Sequence, residues 1–303
     1  MDGMYGPWFL LLLFLIYVGV LYIISKISTI GKKVSMYIVL LTIVIIMVFP
    51  FYAMIVMASH STPSLFSFPP PLWFGDNLMV NFRNMISVVN MPRAFMNSLI
   101  VSVSFTTLSL LFCSIGGYAF ATYQFPGRNV IFTGLLITMM VPWTAGLIPW
   151  FLMMSRFGWI NTFWALIIPG SASAFGIFWM RQYCMNHVPT SLKEAAKIDG
   201  CSEWLIFFRI IAPILKPAYA ALGIMQFVGV WNDFMTPLLI LRQTRLHTLP
   251  LLLRFMQGDV NRGGTDVGLM MLASTVVILP LLIVFFCASK MFMSGLTAGA
   301  LKE

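Results

Sequence analysis

The chain has 303 residues, of which 60% are hydrophobic and 9% charged, with a mean hydropathy of +0.93. No soluble domain has that composition, so the sequence is that of a polytopic membrane protein. The net charge of +9 does not mark a nucleic-acid binder, because the basic residues are scattered through loops and flank apolar runs, as membrane topology requires.

The apolar runs are too long and too uniform for the alternating strands of a β-barrel, so the spans are helices. The first, Trp8–Ser25, has Asp2 ahead of it where a signal peptide would carry basic residues, and no small-x-small site follows. It reads as a retained extra span. With Lys26, Lys32 and Lys33 in a basic cytosolic linker, it makes residues 1–35 an appendage to a membrane domain at 36–303. The second span is Met36–Ala58, with Pro50 as an expected kink. Ser59–Arg93 is a loop rich in Pro and aromatics, including Pro69-Pro70-Pro71, Trp73 and Phe74. It reads either as an external contact surface or as a spacer leading to an interfacial segment. The third span is Ala94–Tyr118 and the fourth Val130–Met153, the latter with Pro142 and Pro149 inside it. The fifth is Thr162–Arg181, with Pro169-Gly170 in mid-run. The sixth is Pro217–Leu241 and the seventh Val267–Ser289, joined by an external loop at Arg242–Asp266. The expectation is an all-α polytopic protein with about seven transmembrane helices, amino terminus outside and carboxyl terminus cytosolic. Counted by side, eleven Lys and Arg fall inside and seven outside, a modest bias of the right sign; the orientation rests more on the family resemblance given below than on charge.

Between the fifth and sixth spans lies the one long polar interruption, Val188–Pro217, VPTSLKEAAKIDGCSEWLIFFRIIAPILKP. Three of the nine acids, Glu194, Asp199 and Glu203, lie inside it within ten positions of one another. Ser191-Leu192-Lys193-Glu194 has the form of a capping box, and Pro189 sits just ahead of it. A helix is predicted over Leu192–Asp199, ended by Gly200 at positive φ. Two turns do not stand alone in water, so this helix must lean on something. Ala195 and Ala196 give it a low surface that another backbone can approach. Trp204, Phe207, Phe208 and Ile211 predict one apolar face on a second helix, which Pro213 and Pro217 bend back toward the bilayer.

At these residues the sequence resembles the membrane subunits of binding-protein-dependent ABC importers. Their signature loop is E-A-A, three residues, Gly, nine residues, Ile and then Pro; here it reads Glu194-Ala195-Ala196, Gly200, Ile210, Pro213. Ala212 stands where the family usually has Leu. Asp199-Gly200 and the tail Gly295-Leu296-Thr297-Ala298-Gly299-Ala300-Leu301-Lys302 resemble the maltose-permease branch, which imports carbohydrates. The resemblance runs over about Met36–Glu303. It implies a type I ABC importer permease fold with one extra N-terminal span, in a bacterial cytoplasmic membrane. It also implies a second homologous permease subunit, two ATP-binding cassette ATPase subunits, an extracytoplasmic solute-binding protein and a carbohydrate substrate. Glu194, Ala195, Ala196, Asp199, Gly200, Ile210 and Pro213 would then couple this chain to an ATPase.

The chemistry that is missing agrees with that division of labour. No G-x-x-x-x-G-K-[ST] run is present, so this chain is expected to hold no cofactor, with ATP and magnesium on the partner ATPase. His60, His187 and His247 are isolated, no metal-ligand spacing appears, and Cys113, Cys184, Cys201 and Cys287 read as packing residues. Gly229 is not part of a G-x-x-x-G face. One intramembrane acid stands out, Asp233 in Trp231-Asn232-Asp233-Phe234. Two readings stand: Trp231, Asn232 and Asp233 line a solute path, with Trp231 offering a face to a sugar ring, or they cap a helix break before Pro237. Asp233 is also what an ion-coupled secondary carrier, the main alternative, would build on. A non-transporting membrane scaffold is a third reading.

Overall fold

The computed structural model describes residues 29–87, 89–260 and 266–300, together with residue 19. The expected first span, Trp8–Ser25, lies almost entirely outside the described residues. Every regular element among those described is a helix.

Helix α1, Thr29–Met57, contains Pro50, and its apolar side chains face outward along most of its length. It starts earlier than expected: Lys32 and Lys33, assigned to a linker, already lie in it. The proline-rich stretch after it is less irregular than its composition suggests. Two short helices form there, α2 (Thr62–Leu65) and α3 (Leu78–Ser87). Asn81, buried on α3, donates to the carbonyls of Ala58 (2.9 Å) and His60 (3.1 Å), which ties the stretch back onto the end of α1.

The central element is α4, Met91–Thr122, longer at both ends than the expected third span. The expected fourth span is two helices, α5 (Arg128–Thr138) and α6 (Trp143–Arg156), bent by 101°. Pro142 precedes α6 with φ −59°; it cannot continue a helix from α5 but fits the start of the next one. The expected fifth span is also split, into α7 (Trp164–Ile167) and α8 (Ala174–His187), with Pro169-Gly170 in the gap. At 14 residues, α8 is shorter than the roughly 20 a straight span needs. The sixth breaks too: α11 (Lys216–Trp231) stops at Asn232, and α12 (Met235–Ile240) follows. The expected external loop after it contains α13, Leu249–Val260, whose Leu249, Leu251 and Met256 are buried. The last helix, α14 (Val267–Ala300), carries Pro280 inside it. Among the described residues, three helices are long and apolar enough to cross a membrane, or up to five if each bent pair makes one span.

α4 packs most extensively on α8 and then on α11, while α14 packs on α11, α1 and α3. Two glycines set the α4–α8 distance. A Cβ on Gly117 would lie 2.5 Å from Cβ of Met180 and 2.7 Å from the backbone nitrogen of Arg181. A Cβ on Gly176 would lie 2.5 Å from Sγ of Cys113. Small residues let helix backbones approach closely where lipid supplies no hydrophobic drive between helices. Sequence reading looked for a G-x-x-x-G face on one helix; the close approach uses one glycine from each of two helices.

Polar side chains on α4 hold the segment leading into α13. Asn97 donates to the carbonyls of Arg245 and His247, both at 3.0 Å, and the Ser98 hydroxyl accepts from Leu249 N–H at 2.7 Å. This segment was expected to be an external loop joining the sixth and seventh spans; α4 and the buried leucines fold it back against the bundle.

Candidate functional site

Two sites emerge. The first is the polar interruption. Its helix, α9, spans Thr190–Ile198. The expected capping box is absent: Pro189 is the N-cap residue, and no side chain caps this end. A proline already fixed at φ −64° starts the helix without it. The stop matches expectation. Gly200 has φ +75°, its N–H donates to the Lys197 carbonyl, and Cys201 N–H donates to the Ala196 carbonyl, both at 3.0 Å. That pair of bonds is a Schellman turn, which favours glycine at its left-handed position.

The turn leads into α10, Glu203–Ile214, with Ser202 accepting from Leu205 N–H as its N-cap. Its middle, Ile206–Ile211, is wound as a π-helix, just ahead of Pro213. The four aromatic and aliphatic residues expected on one face divide between two. Phe207 and Ile211 are buried with Ala196, Tyr118, Cys184 and Leu215. Trp204 and Phe208 are exposed and stack on each other with ring centroids 6.1 Å apart. Sequence spacing alone does not separate two neighbouring stripes on one short helix, and the π-turn shifts their phase further.

The signature residues divide in the same way. Ala196 is buried and packs inward, so it serves this chain's own close packing and offers nothing to a partner. Ile210 is half-buried against the same cluster, and Pro213 is exposed. Ser191, Glu194, Ala195 and Ile198 are exposed at positions i, i+3, i+4 and i+7 of α9 and so form one outward stripe. Asp199 and Gly200 are exposed at its end. Ile198, 87% exposed, went unremarked in the sequence because an isoleucine reads as core; only the packing of Ala196 shows which way Ile198 points.

A polar cluster clamps α9 to α10 and to the end of α4. Lys197 Nζ lies 2.7 Å from Glu203 Oε1, and the Tyr123 hydroxyl donates to Glu203 Oε2. Lys193 Nζ sits 3.5 Å above the Tyr123 ring, a cation–π contact. The hydrogen bonds from Lys197 and Tyr123 hold the Glu203 carboxyl below the usual carboxylate range. Burial, and then the bond to Glu203, push the Tyr123 phenol well above its ordinary value, while burial lowers Lys193. Tyr123 carried no motif, and Lys193 only filled a variable position of the expected capping box, so neither was expected in this cluster.

The second site is a cleft of about 530 Å³ where the interrupted helices meet. It is lined by Ser98, Ser102 and Phe105 of α4, Trp143, Thr144 and Trp150 of α6, Pro169-Gly170 of the α7–α8 gap, Asn232 and Asp233 at the α11–α12 break, and Thr248 before α13. Of the expected path residues, Asn232 and Asp233 reach it and Trp231 does not. Trp231 is fully buried: its Nε1–H donates to the Val277 carbonyl at 3.0 Å, and its ring stacks on Phe227 at 5.5 Å. It joins α11 to α14 and has no face free for a sugar. The Asp233 carboxylate accepts from Met235 N–H (3.0 Å) and Thr236 N–H (3.2 Å), so it caps the start of α12 while lining the cleft. The helix-cap reading of Asp233 thus has its hydrogen bonds, and the same residue lines the cleft.

Residues 113–297 match the family model described as "Binding-protein-dependent transport system inner membrane component". The chain is 39% identical over 208 residues to an arabinooligosaccharides transport system permease protein of Bacillus subtilis, covering 69% of this chain and 73% of that one. It is 33% identical over 249 residues to a lactose transport system permease protein of Rhizobium radiobacter, covering 82% of this chain and 89% of that one. Among solved structures, a bacterial ABC transporter involved in the import of the acidic polysaccharide alginate superposes with a TM-score of 0.74 at 22% identity, covering 87% of this chain and 98% of that one. This chain is thus a member of the binding-protein-dependent transport system inner membrane component family, a multi-pass permease subunit and not an enzyme.

Proposed function

We propose that this chain is one of two homologous permease subunits of an ATP-driven carbohydrate importer, completed by two ATPase subunits that hold ATP and magnesium and by an extracytoplasmic binding protein. The amino terminus lies outside and the carboxyl terminus in the cytosol. The carbohydrate class is supported by the names of the relatives, transporters of arabinooligosaccharides and of lactose.

The single observation that carries the coupling role is the outward stripe of α9. Glu194, Ala195 and Ile198 face away from this chain while Ala196 anchors the helix to it. The stripe offers a partner one anion, a low surface and an apolar knob. The clamp through Tyr123, Lys197 and Glu203 makes α9 move with the end of α4 and with α10. When ATP draws the ATPase subunits together, that motion reaches α4, which lines the cleft. Such switching works only if the two arrangements bind the ATPase differently.

The ion-coupled carrier loses its support. Asp233, the residue it rested on, is engaged in two backbone hydrogen bonds, and the chain belongs to a family of binding-protein-dependent transport components.

Cross-linking tests the coupling role. An Ala195→Cys protein, with its exposed native cysteines replaced by serine, should cross-link to the co-purified ATPase through a short bis-maleimide, and the yield should change with ATP. Full uptake without any cross-link would overturn it. An uptake screen of neutral and acidic oligosaccharides tests the substrate class.

A further inference from the structure

We propose that the cleft beneath the broken helices receives one ring of a neutral saccharide and discriminates against uronate-bearing chains, so that this subunit reads the charge of its solute. The proposal rests on the carbohydrate reading above and goes beyond it by locating the contact on this chain and naming the class of sugar.

Non-helical backbone at membrane depth is tolerated where it is packed in protein or lines a cavity. Here the α5–α6 bend, the α7–α8 gap, the α11–α12 break and the turn before α13 converge on one cleft of about 530 Å³. That volume lies in the range of small-molecule sites. Its walls are mostly apolar and carry two buried hydroxyls with no partner. Ser102 is 1% exposed and Thr248 4% exposed, and neither side-chain oxygen makes a hydrogen bond. A buried hydroxyl without a partner is costly and is paired in the great majority of folded proteins. Turned toward the cleft that their residues line, both would pair with a ligand rich in hydroxyls.

The same lining supplies a stacking surface. Trp143 is 56% exposed, and its edge contact with Trp150, at 5.8 Å between centroids, fixes its ring. An aromatic face beside hydrogen-bonding side chains suits a sugar ring, whose axial hydrogens make an apolar face and whose rim carries hydroxyls. The Asn232 amide lies at the same break.

Charge selects among sugars. The lining includes no Lys or Arg, and its one charged residue is Asp233. A uronate carboxylate placed there meets another carboxylate and no cation among the residues of this lining. The nearby basic residues Arg93, Arg242 and Arg245 line a separate cleft that shares no residue with this one.

Saturation-transfer NMR on the intact importer complex in nanodiscs tests this. The probes are arabinotriose, galactotriose and trigalacturonate, offered together at equal concentration. At least one neutral trisaccharide should receive transfer, and trigalacturonate at least tenfold less. Trp143→Leu should reduce the neutral signal at least tenfold, and so should the near-isosteric pair Ser102→Ala with Thr248→Val. Trp143 is half exposed, so its replacement leaves the fold in place, and co-purification of the ATPase verifies assembly of each variant. Equal transfer to trigalacturonate, an unchanged neutral signal in both variants, or no transfer to any neutral probe overturns the proposal. If the importer takes up sugars while the cleft variants bind as before, the cleft assignment alone fails; if no sugar is taken up at all, the substrate class fails with it.

Discussion

Lys197 Nζ and Glu203 Oε1 lie 2.7 Å apart across the Gly200 turn, and Tyr123 bonds the other oxygen of the same carboxylate. The two side chains are half exposed, at 50% and 44%, so the pair contributes at most about 1 kcal/mol to stability. Its importance is geometric, because it joins α9, α10 and the end of α4.

Glu203→Gln should therefore leave the thermal midpoint of the complex nearly unchanged and lower uptake per ATP hydrolysed severalfold. Tyr123→Phe should act in the same direction, more weakly. The pH dependence follows from the depressed Glu203 carboxyl. Its contribution is complete above the ordinary carboxylate value of about 4.3 and fades as pH falls through the lower folded value. Coupling should be flat from neutral down to mildly acidic pH in proteoliposomes buffered on both faces. A steep loss across that interval in wild type, absent from Glu203→Gln, would contradict the assignment.

Gly200 has φ +75°, yet a Cβ there would meet nothing within 4 Å. The cost of substitution is conformational, not steric. Gly200→Asn should be mild, Gly200→Ala should cost about 1 kcal/mol and Gly200→Val more, since β-branched residues avoid the left-handed region. Membrane insertion should survive in all three. ATPase retention on affinity resin should fall in that order, and Gly200→Trp should abolish transport. Wild-type uptake by Gly200→Trp would remove the lever.

Glu194→Lys reverses the charge of the outward stripe without touching the inner core. Expression and the thermal midpoint should stay at wild-type level while ATPase co-purification drops at least tenfold. A suppressor that restores binding should exchange a basic residue on the ATPase for an acidic one.

Gly117 fails in the opposite way from Gly200, because a Cβ there would overlap both the Met180 side chain and the α8 backbone. Gly117→Val should cost at least the roughly 1–3 kcal/mol of a typical overpacking change. The readout is a lower thermal midpoint in detergent, with loss of folded protein at the growth temperature. Gly134, which has open space around its Cβ position, is the control and should tolerate alanine.

Trp231 and Trp143 separate structure from solute contact. Trp231→Phe should lose the bond to Val277, about 1 kcal/mol, and Trp231→Ala about 3–5 kcal/mol, with no change in the solute concentration for half-maximal uptake in protein that still folds. Trp143→Leu should raise that concentration and leave the thermal midpoint alone.

Composition determined by itself that this is a helical membrane chain, since nothing else accommodates so much apolar length with so few charges. The Glu194–Pro213 pattern determined the family, and Gly200 the turn, because a Schellman stop is local chemistry that glycine can satisfy alone. What the sequence did not contain was direction. Ala195 and Ala196 are identical in type, and only the packing of Tyr118, Phe207 and Ile211 turns one inward and leaves the other facing out. Trp231 read either as a sugar platform or as part of a helix break, and the packing of α14 over it decides between them. Trp143, Pro169 and the Asn232-Asp233 pair belong to three separate expected spans, and their meeting at one cleft depends on contacts between helices far apart in the chain. Propensity and capping act over a few residues and are legible in order along the sequence; which face is covered, and by what, is decided by close packing between distant segments.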